Sequence, residues 1–178
     1  MTFKQAVFLS LAGLAAIIAV PALIFGLMSF GESRPHPSDS YLGQTFFAHE
    51  ADFNKLVEMC NADSHVSRIA PDFTWLDNNA AWPRPESELG FSKQRWNEYR
   101  SLFSKLGLTA GILNYHPDSV MFLASTRGLV TGGSSKGYAY SVKEPEVMVD
   151  SLDNATFSKS RIAYKRLKGN WYLFYMIS

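Results

Sequence analysis

No charged side chain stands between Lys4 and Glu32. That interval, Gln5 to Gly31, constrains the chain more than anything after it. A helix of roughly 20 predominantly apolar residues spans the hydrocarbon core of a bilayer, and this run is longer. About a dozen of its residues are Leu, Ile, Val or Phe, which together favour insertion by on the order of 5 kcal/mol. Ser10, Gly13, Pro21, Gly26 and Ser29 erode that figure without reversing it, because a helix keeps its backbone bonded inside lipid. Pro21 predicts a kink in the span. Nothing polar marks an outward face, and a helix apolar all round is either deep core or a membrane span, which leaves a buried helix of the soluble domain as the lesser alternative.

A cleaved signal peptide is the competing reading. Ser29-Phe30-Gly31 puts small residues at a cleavage-like position. The apolar run is nevertheless about twice the usual length of such a region, and Lys4 is the only positive charge before it. No cysteine follows the run, which excludes lipid attachment at a mature N-terminal cysteine. Residues 1–31 therefore read as a single-pass transmembrane anchor or uncleaved signal, with membrane lipid as partner through residues 5–31. Lys4 on one flank and Arg34 on the other nearly balance, so charge says little about orientation. The short tail before the span favours an N-terminus inside and a domain outside.

Beyond Gly31 the chain is long enough for one domain. Setting Lys4 aside, 16 basic side chains stand against 16 acidic ones. Phosphate binding needs a basic excess, so nucleic acid is not an expected partner. Cys60 is the only cysteine, so no intramolecular disulfide can form.

Two prolines among small polar residues in Glu32 to Ser40 predict a stiff stalk, taken to 32–43, with the globular domain over 44–178. Gln44 to Ala62 is expected as one helix, with Phe46, Phe53, Leu56, Val57 and Cys60 on its apolar stripe. Cys60 on that stripe reads as a buried, inert thiol. Ser92 to Leu106 predicts a second helix, capped by Ser92 and ended by Gly107. Its inward stripe is Trp96, Tyr99, Phe103 and Leu106. Strands are expected at Val66–Ala70, Phe73–Leu76, Gly111–Tyr115, Val120–Thr126 and Leu129–Ser141. Lys143 to Ser160 reads as a surface loop. A closing hairpin, Arg161–Leu167 and Trp171–Ile177, turns at Gly169-Asn170. A plain two-residue turn puts Ile162 and Tyr164 on the face of Leu173, Tyr175 and Ile177. The fold class predicted is α+β: two helices on an antiparallel sheet of about five strands.

Motifs that would carry chemistry fail on spacing. His49-Glu50 lacks a second histidine one turn on, since Phe53 stands there, so no zinc-protease pair forms. Gly132 to Gly137 resembles a phosphate loop in composition alone. No catalytic residue, metal site or cofactor is expected, although a dispersed Ser-His-Asp set leaves no local signature. Taken as a strand, Thr131, Gly133, Ser135, Gly137, Ala139 and Ser141 share an almost bare face. Such a face is either a helix-packing seam or the floor of a groove. Trp82, alone in a proline-rich loop, is either a lid or a contact. The candidate binding residues are accordingly Trp82, Ser134, Ser135, Lys136, Tyr138 and Tyr140. Lys159, Arg161, Lys165, Arg166 and Lys168 form a basic group near the last hairpin, read as a solvated edge or a contact for acidic groups.

Gly132-Gly133-Ser134-Ser135-Lys136-Gly137-Tyr138-Ala139-Tyr140-Ser141, with Arg100-Ser101-Leu102-Phe103 before it and Gly169-Asn170-Trp171-Tyr172-Leu173-Phe174-Tyr175 after it, resembles a family of small bacterial proteins. These pair an N-terminal membrane or lipoprotein signal with one α+β domain. The resemblance covers about residues 45 to 177 and implies no activity and no site residues. Together with the anchor it implies a bacterial inner-membrane protein with a periplasmic C-terminal domain. The expected function is a binding module for a protein partner, immunity- or inhibitor-like. The alternatives are an envelope hydrolase with a dispersed serine or carboxylate site, and a structural subunit of an envelope complex.

Overall fold

A computed structural model describes residues 35–76, 79–80, 88, 90–115, 117–129, 132–154 and 161–177. The expected anchor and Trp82 lie outside the described residues. Among those described, no helix is long and apolar enough to cross a membrane.

Over the described residues the domain is α+β, with three helices and one antiparallel sheet. The helices are α1 (Asp39–Ala48), α2 (Glu50–Ala62) and α3 (Lys93–Leu106). The strands are β1 (Val66–Ile69), β2 (Thr74–Leu76), β3 (Asn79–Ala80), β4 (Gly111–Tyr115), β5 (Ser119–Leu129), β6 (Gly132–Ser141), β7 (Ile162–Lys168) and β8 (Trp171–Ile177). Their order is β3-β2-β1-β4-β5-β6-β8-β7. The sheet thus has seven strands of three residues or more and a two-residue strand at one edge, not about five. The short runs around Pro71 and the last hairpin all join one sheet, because neighbouring strands satisfy each other's backbone groups.

Local signals that need only nearby residues come out as the sequence indicates. Ser92 Oγ accepts from Arg95 N–H at 3.1 Å, and Gly107 takes φ +67°, a turn that L side chains resist. The Gln44–Ala62 helix is instead two. The chain breaks at His49, with φ −132° and ψ 26°, where no glycine or proline marks the site. α1 also starts earlier than expected. Ser38 caps it by accepting from Tyr41 N–H at 3.2 Å, so the far end of the supposed stalk is helix.

One face of the sheet carries the larger core, where Phe46, Phe53, Leu56, Tyr99 and Phe103 from the helices meet Phe122, Tyr138, Trp171 and Leu173. Phe53 and Tyr138 rings lie 4.5 Å apart. The opposite face has a smaller cluster, Met121, Leu123, Ala139, Tyr172 and Phe174, which includes no helical residue.

Two bulges decide which side chains face which way. In the last hairpin Lys168 pairs with Trp171, but a register shift at Leu167 then sets Arg166 against Tyr172. One extra residue reverses every later side chain of the strand. Ile162 and Tyr164 therefore join Tyr172, Phe174 and Met176, correcting the plain-turn register. A second bulge, between Leu123 and Ser125 on β5, lies opposite the Lys136–Gly137 step of β6. There a Cβ on Gly137 would stand 2.0 Å from the Phe122 carbonyl oxygen, so glycine is required. Leu129 also belongs to β5 rather than β6.

Candidate functional site

Alternation along β6 sorts the proposed binding residues onto two sides. Lys136, Tyr138 and Tyr140 point toward the helices; Ser135, Gly137, Ala139 and Ser141 point away. The bare face is real, but none of the described helices packs on it. The tyrosines do not edge it either. Tyr138 is fully buried in the main core, and Tyr140 packs on Trp171 with rings 5.2 Å apart. The groove floor and its supposed rim are on opposite sides of the same strand.

Lys136 is buried, at 3% exposure, and it is neutralised. Its Nζ lies 2.9 Å from Asp39 Oδ1 and 2.5 Å from Asp153 Oδ1. Asp39, also buried, accepts from Leu152 N–H at 2.8 Å and from Lys165 Nζ at 3.2 Å. Its own N–H donates to the Asp153 carboxylate at 3.1 Å. Burial alone would raise the Asp39 carboxyl, but Lys136, the Leu152 amide and Lys165 together hold it below its ordinary value. A buried charge is tolerable when it is paired and hydrogen-bonded, and two cations here meet two carboxylates.

His36 extends this network along the sheet. Its Nδ1 lies 2.9 Å from Ser125 Oγ and its Nε2 2.8 Å from Ser134 Oγ. The ring packs edge-on to Tyr175. Burial, then Arg127 and Lys136, lower its pKa to about 4, so it is neutral near pH 7. In the sequence His36 reads as part of the stalk, with no sign of this role. Only the sheet brings Ser125 and Ser134 to it, across separations of 89 and 98 residues.

The opposite face offers an open cleft of about 280 Å³. Ala139, Ser141, Ser119 and Met121 floor it; Ile162, Tyr164 and the segment Lys143–Val147 wall it. That segment is part of the expected surface loop, yet it is tied down. Tyr164 N–H donates to Val147 O and Val149 N–H to Tyr164 O, each at 2.8 Å. Glu144 pairs with Arg166, whose guanidinium lies over the Tyr172 ring. Farther on, Leu152 enters the main core. The loop thus wraps the outer edge of β7, from the cleft side to the helix side. A second cleft of about 400 Å³, on the helix side, is lined by Asn61, Tyr140 and Val142.

The basic group of the last hairpin is largely paired: Lys165 with Asp39, Arg166 with Glu144 and Lys168 with Glu50. Cys60 is buried and its thiol is pushed up to about 12, as an inert core residue should be. Among the described residues no group of His, Cys, Asp and Glu could hold a metal ion.

No protein-family model, curated protein or solved structure matches the chain.

Proposed function

We propose that this is a membrane-anchored, extracytoplasmic binding module that recognises a protein partner through the cleft on the face opposite the described helices. The observation that carries the reading is the cleft's floor. Ala139 and Ser141 are too small to fill the space that Tyr164, Ile162 and the wrapped loop enclose. An open cleft of about 280 Å³ can receive one or two inserted side chains of a protein partner. The lining mixes Met121, Ile162, Tyr164 and Pro145 with Ser119, Lys143, Glu144 and Glu146, which fits a contact with an apolar centre and a polar edge. Anchoring through residues 5–31 and the bacterial family likeness supply the address within this reading.

A photo-crosslinking residue at Ser141 of the full-length protein in its native membrane tests it. Cross-linking to one protein, lost when Ile162→Trp fills the cleft, supports the reading. Cross-links unaffected by Ile162→Trp would refute the cleft as the contact.

One observation favours the hydrolase alternative. Ser134 Oγ lies 2.8 Å from a histidine nitrogen, the separation a nucleophile and its base require. Fluorophosphonate labelling of Ser134, abolished in His36→Ala, would establish it; an unlabelled protein would remove it.

A further inference from the structure

The outward stripe of α1 is uncharged. Ser40, Tyr41, Gln44, Phe47 and Ala48 follow one another at helical spacing on the side away from the buried Leu42 and Phe46. Tyr41 is 60% exposed and Phe47 57%, the two most exposed aromatic side chains among the described residues. Aromatic rings left in water on an uncharged helix face need a reason.

The polar network under α1 supplies the geometry. His36 is bonded to Ser125 and Ser134, and Asp39 to Lys136, Lys165, Asp153 and the Leu152 amide. From His36 onward the chain is therefore held to the sheet. Only residues 32–35 lie between the apolar run and this clamp. At no more than about 3.6 Å per residue, five steps from Gly31 to His36 span under about 20 Å. Given the proposed anchor, on which this inference rests, α1 cannot stand far from the bilayer surface.

We propose that the Tyr41–Phe47 face of α1 lies against the lipid headgroup region, so that the domain rests on the membrane in one orientation instead of swinging on a free tether. Tyr-type rings concentrate at that depth, where an apolar body and a polar tip are both accommodated. Phe47 adds apolar area to the contact. The clamp gives the contact its rigidity: it removes the swivel that residues 36–39 would otherwise provide.

The test keeps both rings in place. Spin labels go on Gln44→Cys and Ala48→Cys, between and beside them, and on Val142→Cys as an exposed reference. Buried Cys60 does not compete for the reagent. The full-length protein is placed in phosphatidylethanolamine–phosphatidylglycerol vesicles. Collision rates are then read with oxygen, which partitions into lipid, and with a water-soluble nickel chelate. The expected result is a several-fold higher oxygen-to-nickel ratio at 44 and 48 than at 142. That ratio should fall to the reference value when Tyr41→Ser and Phe47→Ser are added. Labels at 44 and 48 as water-exposed as 142, in a protein that resists carbonate extraction, would overturn this proposal and leave the anchor standing. Labels shielded from both reagents would mean a protein contact or a second copy there, which also overturns it. Release by carbonate would sink the anchor reading and this inference together.

Discussion

The two faces of β6 lie one residue apart and behave differently. Toward the helices, Lys136 and Tyr138 are drawn into packing and pairing that bury them, and Tyr140 packs on Trp171. Away from the helices, Gly137, Ala139 and Ser141 offer almost no side chain, and space remains above Ala139 and Ser141. Large and charged residues look like recognition residues in a sequence. Here they hold the fold, and the small ones leave the room in which recognition can occur. A strand's alternation delivers both results from one ten-residue stretch.

The helix-side network should break hardest. Lys136→Ala removes the cation that Asp39 and Asp153 share, leaving the buried Asp39 carboxylate with Lys165 and the Leu152 amide, at a cost of about 3 kcal/mol, the low end for a broken buried pair. Urea denaturation measures it. Lys136→Met combined with Asp39→Asn should recover part of the loss, since the asparagine oxygen can still accept from Leu152 N–H. If Lys136→Ala alone costs nothing, the network does not hold the sheet and α1 together.

Next in size is Gly137→Ala, on the other side of the strand. The added methyl must displace the Phe122 carbonyl across the bulge, a backbone atom with little freedom to yield. A loss of about 1–3 kcal/mol is expected from overpacking, against a near-neutral Ser135→Ala control two residues away.

Acid should act on the helix side through His36. An imidazole in the unfolded chain takes its proton near 6.5, whereas the folded one holds off until about 4 because of burial, Arg127 and Lys136. The contribution of His36 is therefore complete above pH 6.5, shrinks as the pH falls from 6.5 to 4, and changes no further below that. Asp39 behaves oppositely in range: its pairing adds stability above its unfolded value of 3.8 and loses it at lower pH. Urea midpoints of the wild type and His36→Gln, followed from pH 7 to pH 4, should converge on acidification. Parallel curves would show that the histidine is not shielded.

The smallest effect on stability belongs to the cleft. Ser141→Trp, at its half-buried floor, should shift unfolding by about 0.5 kcal/mol or less while abolishing recovery of the cross-linked partner by pull-down. Partner binding that survives this change would show that the two faces of β6 do not divide the work between folding and recognition.

Much of this architecture was legible in the chain. Ser92 and Gly107 bound α3 because a cap needs only the next few amides, and β4 runs over Gly111–Tyr115 as the pattern indicates. The bare face of β6 was also legible, since alternation is a property of one strand. The break at His49 was not, because α1 and α2 separate without a local breaker. Neither was the role of His36, whose partners are contributed by β5 and β6.

Composition and periodicity alone determined an uncharged N-terminal run, a neutral α+β domain and a β6 with one bare side. These arise from side-chain chemistry and from the repeat of a single element. Tertiary structure alone decided which side of β6 meets the helices, where Ile162 and Tyr164 point, and that a supposed stalk is clamped by Asp39 and His36. Each depends on a bulge or a long-range ion pair. A one-residue shift in register reverses a whole strand, and no local pattern of residues records it.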